Sequence, residues 1–156
     1  MPPSTHKPLW PKIPSHFSKY RLRIRKSPMH RFGVFATKSI APNRKVIEYS
    51  GERRTWAEDT RLARNSERRG EPRNVYRAYI QRRTVIDATI GGSGAEFINH
   101  CCAPNLRPRV LRGRIFLFSL RQIRPGEELS WDYQLSSRKK VKCRCNSPNC
   151  RGTLNP

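Results

Sequence analysis

Carboxylates are scarce in this chain. Against 33 Lys and Arg stand 11 Asp and Glu in 156 residues, a formal net charge of +22, and no acidic residue precedes Glu48. So little negative charge repels free basic partners and favours a polyanionic one, most simply DNA or RNA; solubility or an inherited compositional bias is the plainer alternative. Equally absent is any apolar run long enough to span a bilayer, and Met1 to Trp10 lacks the apolar core of a secretory signal. No membrane association is expected, and the chain reads as intracellular, in a nucleus or in a nucleoid or cytoplasm. A disulfide framework is disfavoured too: five cysteines are an odd number, and in a reducing compartment thiols serve metals more readily than they pair. At this length there is room for one domain with one modest core, and not for two unless one is a metal-stapled knot. Nothing in the pattern sets the oligomeric state.

Residues 1–20 carry Pro2, Pro3, Pro8, Pro11 and Pro14 among basic residues, which denies them regular structure and suggests a mobile or loosely wrapped arm. Phosphate contact and a solvated tail both fit such an arm. The alternation Arg21, Leu22, Arg23, Ile24, Arg25 then predicts a half-buried strand with Leu22 and Ile24 inward, stopped by Ser27-Pro28. Val46 to Tyr49 reads as a second apolar strand. Thr55 and Glu58 form a capping box, so a helix should run from Trp56 to about Arg69, with a thin apolar stripe of Trp56, Leu62 and Ala63 amid arginines. Short strands are expected from Val75 to Ile80 and from Thr84 to Ala88, separated from the helix by the turn Gly70-Glu71-Pro72. Val110 to Phe118 reads as a hairpin turning at Arg112 to Arg114, and residues 125–133 as a turn followed by a strand.

Two stretches carry chemistry. Glu96-Phe97-Ile98-Asn99-His100-Cys101-Cys102-Ala103-Pro104-Asn105 places an amide, an imidazole and two thiols in consecutive positions behind two apolar anchors. Cys143, Cys145 and Cys150 supply three thiolates within eight residues, one short of a tetrahedral structural zinc site. A Pro- and Asn-rich tail cannot bury enough apolar surface to order itself, so a metal there would supply folding free energy. Free or disulfide-linked thiols are the alternative.

The first stretch resembles the Arg-Phe-Ile-Asn-His-Ser-Cys-x-Pro-Asn signature of SET-domain protein lysine methyltransferases. Pro125-Gly126-Glu127-Glu128-Leu129-Ser130-Trp131-Asp132-Tyr133 is similar to the Gly-Glu-Glu-Leu-Thr-Phe-Asp-Tyr segment of the same family, and the cysteine tail to its post-SET arrangement. The resemblance covers about residues 21–154. It implies a mostly β fold with short helices, the SET-domain β-clip with its pseudoknot and a C-terminal zinc knot. The implied division is a basic Pro-rich arm (1–20), a SET domain (21–135) and a zinc-binding tail (136–156). Threaded chains are too rare to be read from pattern, so the pseudoknot rests on the resemblance alone.

The resemblance also implies an activity, methyl transfer from S-adenosylmethionine to the amine of a lysine in a protein substrate. Tyr133 would be the catalytic tyrosine with Tyr49 beside it, and Tyr49, Trp131 and Tyr133 would line the channel for the target lysine. His30, Arg31, Phe32 and Gly33 would form the donor loop, with Tyr76, Asn99, His100 and Leu154 as further donor contacts. Cys102, Cys143, Cys145 and Cys150 would hold one structural Zn2+, leaving Cys101 as a small buried residue. The family's variable insert, here the arginine-rich helix, would help shape substrate binding.

Four positions depart from the family pattern. Arg31 stands for the first glycine of Gly-x-Gly, Ser93 for an asparagine, Glu96 for an arginine, and Trp131 for a phenylalanine or tyrosine. The bulk of Trp131 would restrict room and favour fewer methyl groups. Together these departures leave a second possibility, a catalytically weak module of the same fold that binds nucleic acid through its basic surface. A zinc hydrolase is disfavoured, because four thiolate ligands leave no open metal position.

Overall fold

In the computed structural model, which describes residues 11–70, 76–80, 83–135 and 139–156, the first alternation becomes strand β1 (Leu22–Lys26). It buries Leu22 and Ile24 and turns Arg23 and Arg25 outward. β2 (Phe32–Ala36) pairs with it antiparallel, Ile24 opposite Val34. β3 (Lys45–Tyr49), β9 (Arg114–Ser119) and β8 (Leu106–Leu111) form a three-stranded sheet with β9 central. β4 (Glu52–Thr55), β6 (Thr84–Asp87) and β5 (Arg77–Ile80) form another with β6 central. The hairpin between β8 and β9 turns at Arg112 and Gly113, whose φ angles of 50° and 71° put both central residues in the left-handed region. A two-residue turn that matches strand twist requires this. Val75 and the Glu71-Pro72 part of the expected turn lie outside the described residues.

A shared core lies beneath the sheets. Val34, Ile40, Ile47, Leu106, Leu117, Ile123 and Leu129 are each 0% exposed. The core residues Ile98 and Leu129 immediately precede two short strands, β7 (Asn99–His100) and β10 (Ser130–Trp131). Their burial fixes which side chains of those strands point away from the core.

The strand expected within residues 125–133 is realised only as the two residues of β10. The reason is a division of its backbone bonds between neighbours. Ala36 N donates to Glu127 O (3.0 Å) and Leu129 N to Val34 O (2.7 Å), so residues 127–129 belong to β2. Ser130 and Trp131 then pair in parallel with Asn99 and His100.

Helix α1 (Trp56–Arg68) has the expected capping box, with Glu58 N donating to Thr55 Oγ1 (3.2 Å) and Thr55 N to Glu58 Oε2 (2.8 Å). Its expected apolar stripe is not its buried face. Trp56 is 50% and Leu62 39% exposed, and the buried residue is Asp59, whose Oδ2 accepts from Arg77 Nη1 at 2.8 Å. The helix is fastened by its cap and an ion pair, not by an apolar seam.

The described half of the arm is held in place. Ile13, Phe17 and Tyr20 pack on the core, Ser18 Oγ donates to Val46 O (2.7 Å), and Glu48 N donates to Phe17 O (3.0 Å). Apolar side chains between the prolines supply the anchorage that composition alone did not promise. Residues 1–10 lie outside the described residues.

Candidate functional site

The two motif stretches meet at the parallel crossing of β7 and β10. Ser130 lies opposite Asn99 and Trp131 opposite His100, and Cys101 N continues the ladder to Trp131 O (3.2 Å). The adjacency is fastened by Asn105, which is 2% exposed: its Nδ2 donates to Glu128 O (2.8 Å) and its Oδ1 accepts from Ser130 N (2.9 Å). Asn105 closes the Asn-His signature, and its role as a clasp was not foreseen.

Around the crossing, rings form a continuous series. Tyr49 and Trp131 have centroids 6.1 Å apart, Trp131 and Tyr133 5.5 Å, and Tyr133 and His100 5.4 Å. A second group joins Tyr76 to Phe97 (6.0 Å) and Phe97 to Phe32 (6.4 Å). Tyr133 donates its hydroxyl to Ile98 O at 2.7 Å. Burial raises both Tyr49 and Tyr133 well above the usual phenol range, so both hydroxyls stay protonated at neutral pH. Both are neutral hydroxyls on apolar walls, not bases, and that of Tyr133 is oriented by its bond to Ile98 O.

The side chains of Asn99 and His100 are engaged internally. Asn99 Nδ2 lies 2.8 Å from both Phe32 O and Glu128 Oε1, 3.1 Å from Ser27 Oγ and 3.3 Å from His30 O. It therefore pins the loop of residues 27–33 to the crossing. Ser27 Oγ in turn donates to the Glu128 carboxylate (2.8 Å) and accepts from Met29 N (3.0 Å). Gly33 is required by this arrangement, since a Cβ there would stand 2.1 Å from Glu128 Oε1. His30, Arg31 and Phe32 are exposed along the same loop. Arg31 takes φ of 37°, a left-handed conformation that suits glycine and strains a long side chain. Ser27 and Glu128 were not anticipated, because 101 residues separate them.

Two other departures are accommodated. Ser93 is fully buried and donates to Glu48 O at 2.5 Å, tying the 3-10 turn Ala95–Phe97 to β3. Glu96 turns back on its own loop, accepting from Gly94 N at 2.8 Å, and burial raises its carboxyl.

His100 links the crossing to the tail. Nδ1 accepts from Tyr133 N (3.2 Å), and Nε2 lies 3.4 Å from Cys102 Sγ. Burial lowers its pKa, so the ring is a neutral imidazole. Cys102 Sγ is 3.8 Å from both Cys143 Sγ and Cys150 Sγ, and the sulfurs of Cys102, Cys143, Cys145 and Cys150 all lie within 4.8 Å of one another. Four sulfurs about 2.3 Å from one tetrahedral ion would be separated by roughly 3.8 Å. The cluster can hold a metal ion, and an all-thiolate set suits zinc. Cys101, expected as a small buried residue, is only half-buried beside it, its thiol 3.4 Å from Ala103 O.

A second clasp fastens the tail. Arg151 donates to both oxygens of Asp132 (2.8 and 2.6 Å), which holds that carboxyl below its usual range. Leu154 is half-buried at the same junction, its carbonyl accepting from Leu135 N at 3.2 Å. Neither Asp132 nor Arg151 was singled out from sequence.

Crossed parallel strands, a row of aromatic rings and a thiol-clasped tail define a β-rich domain whose site is assembled from three distant segments. A family model for the SET domain matches residues 31–134. The chain belongs to the SET domain family. Among similar proteins are the yeast "Histone-lysine N-methyltransferase, H3 lysine-4 specific" from Saccharomyces cerevisiae, 38% identical over 83% of this chain and 13% of that protein. Others are human "Histone-lysine N-methyltransferase SETD1B", 38% identical over 89% of this chain and 7% of that protein, and Dictyostelium discoideum "Histone-lysine N-methyltransferase set1", 37% identical over 86% and 9%. The chain thus spans 7 to 13% of the length of these relatives. No helix among the described residues is long and apolar enough to cross a membrane.

Proposed function

We propose that this chain is a protein-lysine N-methyltransferase acting on a histone, a histone-like protein or another nucleic-acid-associated protein, with S-adenosylmethionine as methyl donor. The observation that carries the reading is the row Tyr49, Trp131, Tyr133 beside Asn99-His100, with both phenols held protonated. The names of the similar proteins support the same reaction and a histone substrate.

S-adenosylmethionine supplies a methyl group already activated by its sulfonium. What the protein must arrange is an unprotonated amine, since a lysine of pKa about 10.4 is neutral only about once in a few thousand at pH 7. A narrow aromatic channel disfavours the ammonium and aligns the amine for attack. In this reading Tyr133 is the catalytic tyrosine, and Tyr49 and Trp131 complete the channel. His30, Arg31, Phe32, Gly33, Tyr76, Asn99, His100 and Leu154 hold the donor. Cys102, Cys143, Cys145 and Cys150 hold one structural Zn2+ that fastens the tail and has no part in the reaction. Residues 1–20, 21–135 and 136–156 divide as arm, SET domain and zinc-binding tail.

A catalyst carrying a net charge of +22 repels a free basic substrate, so nucleic acid that neutralises or bridges the pair should stimulate transfer at low salt. In this reading the protein works with chromatin, or with a nucleoid or RNA-bound assembly. The left-handed Arg31 favours one second reading, a catalytically weak module that binds nucleic acid. The deciding experiment is transfer of labelled methyl from S-adenosylmethionine by zinc-loaded protein into nucleic-acid-associated proteins, with Tyr133→Phe alongside. Label in discrete bands, reduced in the variant, is expected; no label above background from folded, zinc-bound protein would favour the binding module.

A further inference from the structure

Among the described residues the most exposed aromatic surface lies away from the crossing. Trp56 and Tyr79 are 50% and 47% exposed, and their rings pack against each other, centroids 5.3 Å apart and planes 53° apart. From Trp56 a groove of about 430 Å3 runs along α1 past Thr60, Arg61, Arg64, Asn65 and Arg68. Among the described residues no carboxylate lines it, and Arg61, Arg64 and Arg68 are all exposed. The two acids of the first helical turn are engaged elsewhere, Glu58 in the Thr55 cap and Asp59 with Arg77. Among the described residues, neither Arg64 nor Arg68 forms an ion pair. Spacings of three and four residues place the three guanidinium groups on one face at successive turns, with the Asn65 amide beside them.

An exposed tryptophan costs the fold apolar surface, and three aligned arginines, two of them without an ion-pair partner among the described residues, cost it repulsion. One occupant relieves both. We propose that this face of α1 binds single-stranded nucleic acid, with an unpaired base stacked on Trp56 and Tyr79 and the phosphodiester backbone tracked by Arg61, Arg64 and Arg68. Duplex DNA meets the charge but keeps its bases stacked on each other, and an acidic peptide meets the charge but leaves the rings bare. The inference deepens the nucleic-acid part of the proposed function, yet does not depend on methyl transfer.

Fluorescence anisotropy of labelled 12-nucleotide oligo(dT) and oligo(U), with a 12-base-pair duplex and polyglutamate as competitors, tests it on the full zinc-loaded chain. Single strands should bind more tightly than either competitor, the two oligonucleotides telling which sugar is preferred. Trp56→Ala should weaken binding on the order of tenfold. Arg64→Ser with Arg68→Ser should lower the salt slope by about 1.4. The control pair Arg21→Ser with Arg23→Ser removes equal charge from the exposed edge of β1 and should do less. If Trp56→Ala melts early, Trp56→Leu keeps the apolar bulk without the stacking surface and should show the same loss. Polyglutamate binding as well as oligo(dT), equal losses in the two arginine pairs, or an unchanged affinity in the Trp56 variants would overturn the proposal. Methyl transfer is not the readout, so failure here leaves the enzymatic reading untouched, and the converse also holds.

Discussion

Two regions build one site by different physics. The β7–β10 crossing is anchored by Ile98 and Leu129, both buried in the common core, and by the Asn105 clasp. The tail of residues 139–156 buries only a thiol and an amide, Cys143 and Asn155. It is attached by a cluster of four sulfurs, the Arg151–Asp132 pair and the bonds of Leu154 and Asn155 to the Leu135 backbone. The first region is ordered by removing apolar surface from water. The second has little such surface to remove, so its order depends on what the thiolates bind. The proposed donor and lysine contacts draw on both, which makes the tail a conditional part of a permanent site.

The comparison can be broken from the core side first. Leu129→Ala removes the anchor of β10 and should destabilise the whole domain by about 2–5 kcal/mol. Chemical denaturation measures it, and a loss under about 1 kcal/mol would mean that the crossing is held by its polar clasps instead. Next in size is a pH effect. The folded chain keeps the Tyr49 and Tyr133 protons that the unfolded chain releases near pH 10, so the contribution of these two groups to stability is level below about pH 10 and falls above it. The limiting fall is about 1.4 kcal/mol per pH unit for each tyrosine. Tyr49→Phe should flatten half of it, which melting curves between pH 8 and about pH 11 would show.

Arg31→Gly relieves the left-handed strain in the loop of residues 27–33 and should stabilise the domain by roughly 1 kcal/mol, while bringing back the family's glycine. A melting temperature that falls instead would mean that the arginine side chain repays its strain. The smallest expected effect is that of Arg151→Ala. The pair with Asp132 is about a quarter exposed on each side, so its loss should cost about 0–1 kcal/mol. Hydrogen exchange should rise in residues 139–156 and not in β2, β3 or β9.

Legibility in the sequence obeys the same division. Local pattern gave β1, the capping box and the β8–β9 hairpin, because alternation, a Thr-x-x-Glu step and a glycine turn are short-range signals. The cluster of four thiols that could hold a metal was legible because three of its members are close in sequence. Contacts spanning the chain were not legible: Ser27 with Glu128, Arg151 with Asp132, and Asn105 as the clasp of β10. A carboxylate in a Gly-Glu-Glu turn does not announce that it will fill the space over Gly33. The buried side of α1 was not legible either: the sequence shows a thin apolar stripe on a mostly solvated helix, and the residue that is buried is Asp59, paired with Arg77 of β5.

One measurement tests the two-region account most directly. Zinc-loaded protein is treated with a chelator while methyl transfer, proteolysis of the tail and melting of the core are followed in one sample. The account predicts that transfer is lost and the tail is cleaved while the core keeps its cooperative melting, and that added zinc restores transfer in protein left uncleaved. Transfer that persists without metal, or a core that unfolds together with the tail, would contradict it.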